Sequence, residues 1–186
     1  MGSAAKMTEL PTLRGDGFEL RHLRASDLPA LKSIFGHPDV ARFMGIPQMK
    51  SLEDARELLD HIRTSAADGD LFQWGLALPD GHVAGTCTLA HIDRENERAE
   101  IGFALHPDHW GRGLMTRVVP LVIDHAFDQM GLHRIEADVD PRNVPSLHLL
   151  ERLGFVREGY LRERHIVGGE RQDTVFFGLL KTEWNG

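Results

Sequence analysis

Two glycines between a predicted strand and the longest helical segment constrain this chain more than any other feature. The strand is predicted at Ala99–Leu105 and the helix at Leu114–Met130, with Gly111 and Gly113 in the turn between them. Glycine lets the backbone turn tightly or approach a ligand, because it has no Cβ atom. The first N–H groups of a helix lack partners within it and favour a negative charge. The turn therefore indicates either an anion-binding loop or a plain connection that needs glycine for its geometry.

The rest of the chain predicts strands and helices in alternation. Period-two alternation favours strands, and apolar residues at helical spacing favour helices. Strands are expected at Phe18–Leu23, Phe72–Leu78, Val83–Ala90, Arg134–Val139, Tyr160–Ile166 and Gln172–Leu180, and helices at Leu28–Phe35, Ala55–Ile62 and Asn143–Leu153. Hairpins mixed with helical crossovers predict an α+β domain with a mixed, mostly antiparallel central sheet and flanking helices.

Local signals mark where several of these helices begin, end or bend. Ser51-Leu52-Glu53-Asp54 is typical of a capping box at a helix start. His37-Pro38-Asp39 is expected to end the helix before it, since the residue before proline disfavours helical geometry. Pro120, inside the longest helical segment, removes one backbone hydrogen bond and is expected to bend that helix.

The length and charge of the chain limit its organisation and its partners. A chain of 186 residues corresponds to one domain, which we expect at residues 8–186, with residues 1–7 a disordered N-terminus or an expression remnant. The formal net charge is −7 with histidine neutral, which argues against general nucleic-acid binding and suits a cationic partner such as an amine.

Cysteine content and hydropathy indicate the cellular compartment in which we expect the protein. The single cysteine, Cys87, cannot form an intramolecular disulfide, which fits a reducing compartment. No apolar run approaches a membrane span, and Met1–Lys6 lacks the apolar stretch of a signal peptide. We therefore expect a cytoplasmic protein without membrane contact. None of the 11 histidines forms a metal-binding motif, so no metal is expected.

Two familiar phosphate-binding loops do not match the glycine turn. A P-loop requires a lysine and a serine or threonine directly after its last glycine, and Leu114 stands there instead. A dinucleotide fingerprint requires a third glycine at the position that Thr116 occupies, in the first βαβ unit of its domain. Hydride-transfer chemistry is therefore a poor fit.

Residues 99–155 resemble the GNAT acetyltransferase superfamily, and more narrowly its RimJ/RimL-like branch. Trp110-Gly111-Arg112-Gly113-Leu114-Met115 matches the family's pyrophosphate loop, Q/R-x-x-G-x-G/A. Asn143-x-x-Ser146 and Leu153-Gly154-Phe155 follow in the family's order and spacing, and His37–Val40 and Gly168–Glu170 are also similar to that branch. The resemblance implies a GNAT-like acyl-CoA N-acyltransferase fold and an acetyltransferase that uses acetyl-CoA.

The resemblance also implies where acetyl-CoA binds. Its pantetheine arm is expected to pair with the backbone of Phe103 and Leu105 and to accept a hydrogen bond from Asn143. Its diphosphate is expected on the backbone N–H groups of Gly111, Arg112, Gly113, Leu114, Met115 and Thr116. Because this ligand is anionic and the protein is acidic, Arg112, Arg117 and Arg152 are candidate local cations, with ordinary solvated charges as the alternative.

Three residues depart from the family's pattern. Trp110 replaces the Gln or Arg that opens the loop, and Met115 replaces its last Gly or Ala. Both changes are compatible with phosphate binding if the ligands are backbone N–H groups. Leu150 stands where many relatives carry a tyrosine that donates a proton to the departing thiolate, so that donor is absent.

Direct attack of an amine on a thioester requires a base and an acid, and the candidates are Glu100 and Ser146. Glu100 lies on the strand beside the expected thioester, although it could equally be a paired surface carboxylate. Ser146 is expected to face the sulfur, with a helix-capping hydroxyl as the alternative. Tyr160, the only tyrosine, is a weaker candidate acid.

The preferred acceptor is a protein or peptide N-terminal α-amine, because the resemblance to the RimJ/RimL-like branch implies it and because deprotonating it demands the least of the base. A small-molecule amine such as a polyamine, an amino acid or an antibiotic is the alternative within the same chemistry. A non-catalytic acyl-CoA-binding module is the alternative of another class, supported by the missing tyrosine. The expected oligomeric state is a monomer or a homodimer.

Overall fold

One mixed sheet forms the frame of the molecule. The computed structural model describes residues 10–186, so residues 1–7, expected to be disordered or an expression remnant, lie outside the described part. The described residues form eight strands: β1 Leu13–Gly15, β2 Phe18–Arg21, β3 Phe72–Ala77, β4 Val83–Asp93, β5 Arg98–Leu105, β6 Arg134–Val139, β7 Val156–Val167 and β8 Glu170–Leu180.

The order of the strands is β1-β2-β3-β4-β5-β6-β8-β7. Every neighbouring pair in this order is antiparallel except β5 and β6, which run parallel. The parallel pair requires a crossover, which the longest helix supplies. The prediction of an α+β fold with a mixed, mostly antiparallel sheet is confirmed.

The helices cover the sheet on two faces. They span Leu28–Gly36 (α1), Pro38–Met44 (α2), Leu52–Asp68 (α3), Leu114–Asp124 (α4) and Val144–Arg152 (α5). One core joins α4 and α5 to the sheet and includes the fully buried Trp74 and Phe177. A second core joins α1 to α3 on the opposite face, around Leu31 and Ile34. Within residues 10–186, no helix has the length and apolar character that crossing a bilayer requires.

The capping box at the start of α3 forms as predicted. The Ser51 hydroxyl accepts the Asp54 N–H at 3.2 Å, and the Asp54 carboxylate accepts the Ser51 N–H at 2.9 Å. These hydrogen bonds satisfy two backbone donors at the helix start. The Asp54 carboxylate also accepts the Lys50 N–H, and the hydrogen bonds from the Lys50 and Ser51 N–H groups lower the pKa of Asp54.

The structure contains α2, which the sequence analysis missed. His37 does end α1, as expected, but Pro38 then occupies the first position of a new helix. Proline is favoured there, since its missing N–H would have no helical partner anyway. Gly45 ends α2 in the left-handed conformation, at φ 65°. The three-residue strand β1 was also missed.

The longest helical segment is regular only in its first part. The α-helix ends at Asp124, and His125–Gln129 continues as a π-helical turn in which the Met130 N–H donates to the His125 carbonyl at 3.1 Å. The prediction of one helix over Leu114–Met130 is therefore wrong in its second part. Pro120 lies inside the regular part, where it lacks the N–H that would bond to Thr116.

The closing hairpin is longer than predicted. β7 begins four residues before Tyr160, and β8 begins two residues before Gln172. Two bulges interrupt the pairing of β7 with β8, which masks the simple alternation expected of a strand.

Candidate active site

A gap opens in the middle of the sheet where β5 and β6 separate. The two strands pair only from Arg98–Glu100 to Arg134–Glu136, although β5 continues to Leu105 and β6 to Val139. On its other side β5 pairs with β4 along its length. One edge of β5 beyond Glu100 is therefore open to an extended ligand.

The backbone of β5 presents alternate residues to this gap. The Glu97 carbonyl, on the β6 side, accepts the Arg134 N–H at 3.1 Å, and the His106 N–H donates to Ala84 of β4 at 2.8 Å. Because backbone groups alternate along a strand, the odd-numbered residues between them face β6. Phe103 and Leu105, the two residues proposed to pair with pantetheine, are therefore on the open edge.

One backbone carbonyl on that edge already accepts a hydrogen bond from within the protein. The indole N–H of Trp110 donates to the Leu105 carbonyl at 2.7 Å. The His37 ring packs edge-on against the Trp110 ring, with centroids 5.9 Å apart. Trp110 thus fastens the end of β5 to the glycine turn, while the Phe103 N–H and carbonyl and the Leu105 N–H remain available for a ligand.

The glycine turn is a cradle made of backbone. Gly111 and Gly113 have φ values of 72° and 65°, and nothing else in the described chain lies within 4 Å of where their Cβ atoms would be. No side chain caps the start of α4. Across residues 10–186, the N–H groups from Gly111 to Met115 have no hydrogen-bond partner. The cradle therefore fits an anionic group such as a diphosphate.

The first two side chains after the second glycine are buried away from this cradle. Leu114 and Met115 are buried in the core beneath α4, and Thr116 is half-buried. Leu114 and Met115 can therefore contribute to the cradle only through their backbone. This arrangement accounts for a methionine at a position where the family's pattern has Gly or Ala.

The candidate cations around the cradle separate into two kinds. Arg117 is engaged elsewhere, since it donates to the Asp16 carbonyl at 2.8 Å and stacks over the Phe18 ring at 5.6 Å. The expectation that Arg117 supplies charge to the ligand is therefore not supported. Arg112 and Arg152 are exposed, and neither forms an ion pair within the described chain.

Asn143 and Ser146 occupy different positions at the start of α5. Asn143 is the capping residue, and its Oδ1 accepts the Ser146 N–H at 3.4 Å. Ser146 is the third residue of the helix and is partly exposed, so its alternative role as a capping hydroxyl is wrong. Leu150, at the position of the tyrosine in many relatives, is fully buried in the core.

Three carboxylates lie on the face of β5 and β6 that looks toward α2. Glu100 and Glu136 are register partners, so their side chains lie on the same face, and Asp138 follows two residues further along β6. Met44 of α2 is the nearest neighbour of Gly102, which places α2 over the gap. We call Glu100, Glu136 and Asp138 together the acidic face.

Two carboxylates of the acidic face are held by cations or hydroxyls. Glu136 accepts from Arg98 at 2.9 Å and from Arg134 at 2.8 Å. Asp138 accepts from the Thr174 hydroxyl and lies 3.2 Å from His165 Nε2 and 3.6 Å from Arg164. Both charges are therefore compensated by neighbouring side chains.

Glu100 differs from the other two carboxylates. The nearest basic side chain is that of His91, whose Nε2 lies 4.0 Å from Glu100 Oε2, beyond hydrogen-bonding distance. No hydrogen bond to the Glu100 side chain is found in residues 10–186. Burial raises the pKa of Glu100, and the carboxylates of Asp138 and Glu136 raise it further, whereas His91 and His165 oppose the rise.

Ionic contacts connect α2 to the closing hairpin across the site. Arg42 of α2 lies 3.7 Å from Glu170. Arg142 donates to Glu170 and to Asp140, both at 2.6 Å. These contacts hold α2 against the tip of the β7–β8 hairpin. The sequence signal for α2 was Pro38 followed by Gly45 seven residues later.

Other candidate reactive groups lie outside the gap. Cys87 is fully buried, and burial raises its pKa to about 12, as expected for an inert thiol. Burial lowers the pKa of His125, whose ring packs edge-on against Trp74 in the core. Over residues 10–186, no group of three His, Cys, Asp or Glu side chains has the arrangement of a metal site.

Comparisons with known proteins all indicate the same family. The profile of the acetyltransferase (GNAT) domain matches residues 18–156. The uncharacterized N-acetyltransferase p20 of Bacillus licheniformis is 35% identical over 178 residues, which cover 95% of this chain and 100% of that protein. The spermidine N(1)-acetyltransferase of Escherichia coli K12 is 26% identical over 167 residues, covering 89% and 87% of the two chains.

A solved structure agrees with this result. Mycobacterium smegmatis RimJ, in complex with CoA-disulfide, superposes with a TM-score of 0.83 at 25% identity and covers 91% of this chain and 84% of its own. The family assignment sets aside hydride-transfer chemistry and the non-catalytic acyl-CoA-binding module. The free amides of the glycine turn and the open edge of β5 fit the acetyl-CoA that this family uses. The chain therefore belongs to the GNAT family and is an N-acetyltransferase.

Proposed function

We propose that this enzyme, as a RimJ/RimL-like member of its family, transfers the acetyl group of acetyl-CoA to the N-terminal α-amine of a protein or peptide. One observation carries the proposal. Within residues 10–186, Glu100 is the one carboxylate of the acidic face without an arginine or a hydroxyl partner. The site therefore offers a single uncompensated base, which suits an acceptor with one amine of low proton affinity.

The residues that would hold acetyl-CoA are mostly backbone groups. The N–H groups from Gly111 to Thr116 would bind the diphosphate, and Phe103 and Leu105 would pair with the pantetheine arm. Asn143 uses Oδ1 to cap α5 and keeps its amide nitrogen for donation. When bound, acetyl-CoA supplies a thioester whose carbonyl carbon is attacked by an amine.

The protonation state of the acceptor decides how strong a base the site must provide. Freeing a lysine amine at pH 7 costs about 4–5 kcal/mol, whereas freeing an α-amine costs about 1 kcal/mol. Burial and the neighbouring carboxylates raise the pKa of Glu100 from its ordinary value. Its pKa is therefore closer to the pKa of an α-amine, which makes proton transfer between the two groups easier. Glu100 would take the proton at a carboxylate oxygen as nitrogen attacks.

The acid that protonates the departing thiolate is proposed to be Ser146. It lies at the third position of α5, next to the Asn143 amide, and its hydroxyl has no hydrogen-bond partner in residues 10–186. Tyr160 suits this role less well, since its hydroxyl donates to Asp173 at 2.5 Å. That hydrogen bond raises the pKa of Tyr160, so its proton is harder to give up.

A polyamine is the second candidate acceptor, and the E. coli spermidine acetyltransferase among the relatives favours it. A polyamine carries several positive charges and is best bound by several free carboxylates along its path. Here Glu136 and Asp140 are held by arginines, and Asp138 lies near Arg164 and His165. This compensation favours the α-amine over the polycation.

The proposal is tested by measuring free CoA thiol released from acetyl-CoA with a panel of acceptors at pH 7.5. The panel contains short peptides with free N-termini, the same peptides with acetylated N-termini, spermidine, spermine and an aminoglycoside. We expect turnover with free peptides and none with their acetylated forms. A kcat/KM for spermidine at least 10-fold above every peptide would overturn the proposal in favour of the polyamine.

The role of Glu100 is tested by Glu100→Gln with the best peptide. Loss of a general base typically lowers turnover 10²- to 10⁴-fold. We expect the loss to be greatest at low pH and to narrow above pH 9, where solvent has already freed the amine. The matched control is Glu57→Gln, an exposed glutamate on α3, with unchanged rates expected. A parallel pH–rate profile for Glu100→Gln and the wild type would contradict the assignment.

A further inference from the structure

His91 has an unusual backbone conformation beside the candidate base. Its φ is 50°, in the left-handed region that residues other than glycine seldom occupy. It lies in β4 where the pairing with β5 shifts register between Ala90 and Asp93. A bulge of this kind redirects a side chain, and such strain is often found at functional sites.

The redirected imidazole lies close to Glu100 and is more exposed to solvent than Glu100 is. His91 Nε2 lies 4.0 Å from Glu100 Oε2, a separation that a small movement or one bridging water closes. The His91 side chain is 77% exposed, whereas that of Glu100 is 37% exposed. From the other strands Glu100 faces Glu136 and Asp138 of β6 and His165 of β7.

Glu136, Asp138 and His165 are less suited than His91 to accept a proton from Glu100. Glu136 is held by two arginines, and a carboxylate beside another carboxylate is a poor destination for a proton. His165 Nε2 is directed at Asp138, 3.2 Å away. The His91 side chain has no hydrogen bond in the described residues and no carboxylate other than Glu100 within 4.0 Å.

We propose that His91 carries the acceptor's proton from Glu100 to bulk water after each turnover. This inference rests on the proposed function, since it takes Glu100 to be the base. His91 acts through Glu100 and is therefore a positioning residue rather than a catalytic one. The bulge and the left-handed backbone at His91 serve to aim its imidazole at Glu100.

The proton is accounted for at each step. An N–H bond of the acceptor breaks as an O–H bond forms on the Glu100 carboxylate. That O–H bond then breaks as an N–H bond forms on the neutral imidazole of His91, directly or through one water. The imidazolium releases a proton to bulk water, so both side chains return to their starting states.

The test uses two substitutions that accept the backbone conformation. Glycine adopts positive φ freely, and asparagine tolerates it, so His91→Gly and His91→Asn are expected to fold without loss of melting temperature. We expect kcat to fall about 10-fold with the best peptide, with the dissociation constant for CoA unchanged. The matched control is Glu97→Gly, because Glu97 has the same φ of 50° and is exposed. It should leave kcat unchanged.

Chemical rescue distinguishes proton transfer from a structural role. Adding imidazole to His91→Gly should restore most of the lost kcat and should not affect Glu97→Gly. Because His91 opposes the raised pKa of Glu100, the acid limb of the pH–rate profile of His91→Gly should move to higher pH. An unchanged kcat, or a loss that imidazole does not restore in a profile of unchanged shape, would overturn the inference.

A measurement without turnover separates this inference from the proposed function. Carbon-13 NMR titration of the Glu100 carboxyl in the full chain, without ligands, should show a higher pKa in His91→Gly than in the wild type. If the wild type acetylates no α-amine but this shift is present, the proposed acceptor fails while the coupling of His91 to Glu100 stands. If α-amines are acetylated and the Glu100 titration is the same in both proteins, the relay fails.

Discussion

The proposed active site has two halves, a cofactor half and an acceptor half, which are built from different parts of the polypeptide. The cofactor half uses backbone groups: the free amides from Gly111 to Met115 and the open edge of β5. The acceptor half uses side chains, namely the acidic face and the arginines and histidines that surround it. The first half depends on chain geometry, and the second depends on which side chains tertiary packing brings together.

This difference determines how each half responds to substitution. Trp110 and Met115 depart from the family's loop pattern, yet the amides beside them keep their orientation because glycine sets the backbone. In the acidic face, a single exchanged side chain changes the charge that an acceptor meets. We therefore expect relatives to share the cofactor half and to differ in the acceptor half.

The largest expected effect comes from placing a side chain in the backbone cradle. Gly113→Asp puts a carboxylate and added bulk where the diphosphate is proposed to bind, so repulsion and steric exclusion act together. We expect the affinity for CoA to fall at least 100-fold, about 2.7 kcal/mol, as measured by isothermal titration calorimetry. Retained affinity would show that the diphosphate binds elsewhere.

The matched control for this variant is Gly131→Asp. Gly131 has a φ of 70° and open space around its missing Cβ, like Gly113, but it lies beyond the other end of α4. It therefore reproduces the backbone strain without approaching the cradle. We expect both variants to lose similar thermal stability and only Gly113→Asp to lose affinity for CoA.

Signals that lie close together in sequence predicted the backbone geometry of the cofactor half. The glycine turn, the helix start after it and the strand at Ala99–Leu105 are all local, whereas the pairing of Phe103 and Leu105 with a ligand was implied by the family resemblance alone. The capping box at Ser51 was predictable for the same reason. The occupied Leu105 carbonyl was not, because the indole that reaches it belongs to the following turn.

The acceptor half could be predicted only in part. Glu100 was proposed from its strand, but its isolation depends on Arg98 of β5 engaging Glu136 of β6, a contact between residues 38 positions apart in sequence. The π-helical turn after Asp124 and the bulge at His91 are departures from regular geometry that periodicity cannot show. Helix α2 was hidden because Pro38 serves as both a stop and a start.

A smaller effect tests how Trp110 supports the backbone half. Trp110→Phe keeps the aromatic ring against His37 but removes the hydrogen bond to the Leu105 carbonyl. We expect a loss of about 1 kcal/mol in the free energy of unfolding, together with a several-fold weaker affinity for CoA, since the strand end is no longer fastened to the turn.

A second tryptophan provides the control for Trp110→Phe. The Trp184 indole N–H donates to Asp124 at 2.7 Å, so Trp184→Phe removes a comparable hydrogen bond at the far end of α4. Chemical denaturation should give similar losses of stability for the two variants, while calorimetry should show weaker CoA binding for Trp110→Phe alone. Equal CoA affinities would mean that the indole stabilises the fold without shaping the site.

The smallest effect concerns the stability cost of the uncompensated base. The pKa of Glu100 is raised in the folded state, chiefly by burial, so between its unfolded and folded values the folded state binds more protons. The free energy of unfolding therefore falls as the pH rises through this window. Glutamine cannot ionise, so Glu100→Gln should be more stable than the wild type at pH 7, and this gain should vanish below the unfolded pKa of about 4.3.

The size of this gain is limited because solvent screens Glu100. Its side chain is 37% exposed, so we expect a few tenths of a kcal/mol in urea denaturation at pH 7. Glu57→Gln, on the exposed surface of α3, should show no such pH-dependent gain. If Glu100→Gln is less stable than the wild type at pH 7, the carboxylate has a stabilising partner, and the contrast between a free Glu100 and a compensated Glu136 is wrong. If the gain appears together with lost turnover, the acceptor half has given up stability to keep its base available.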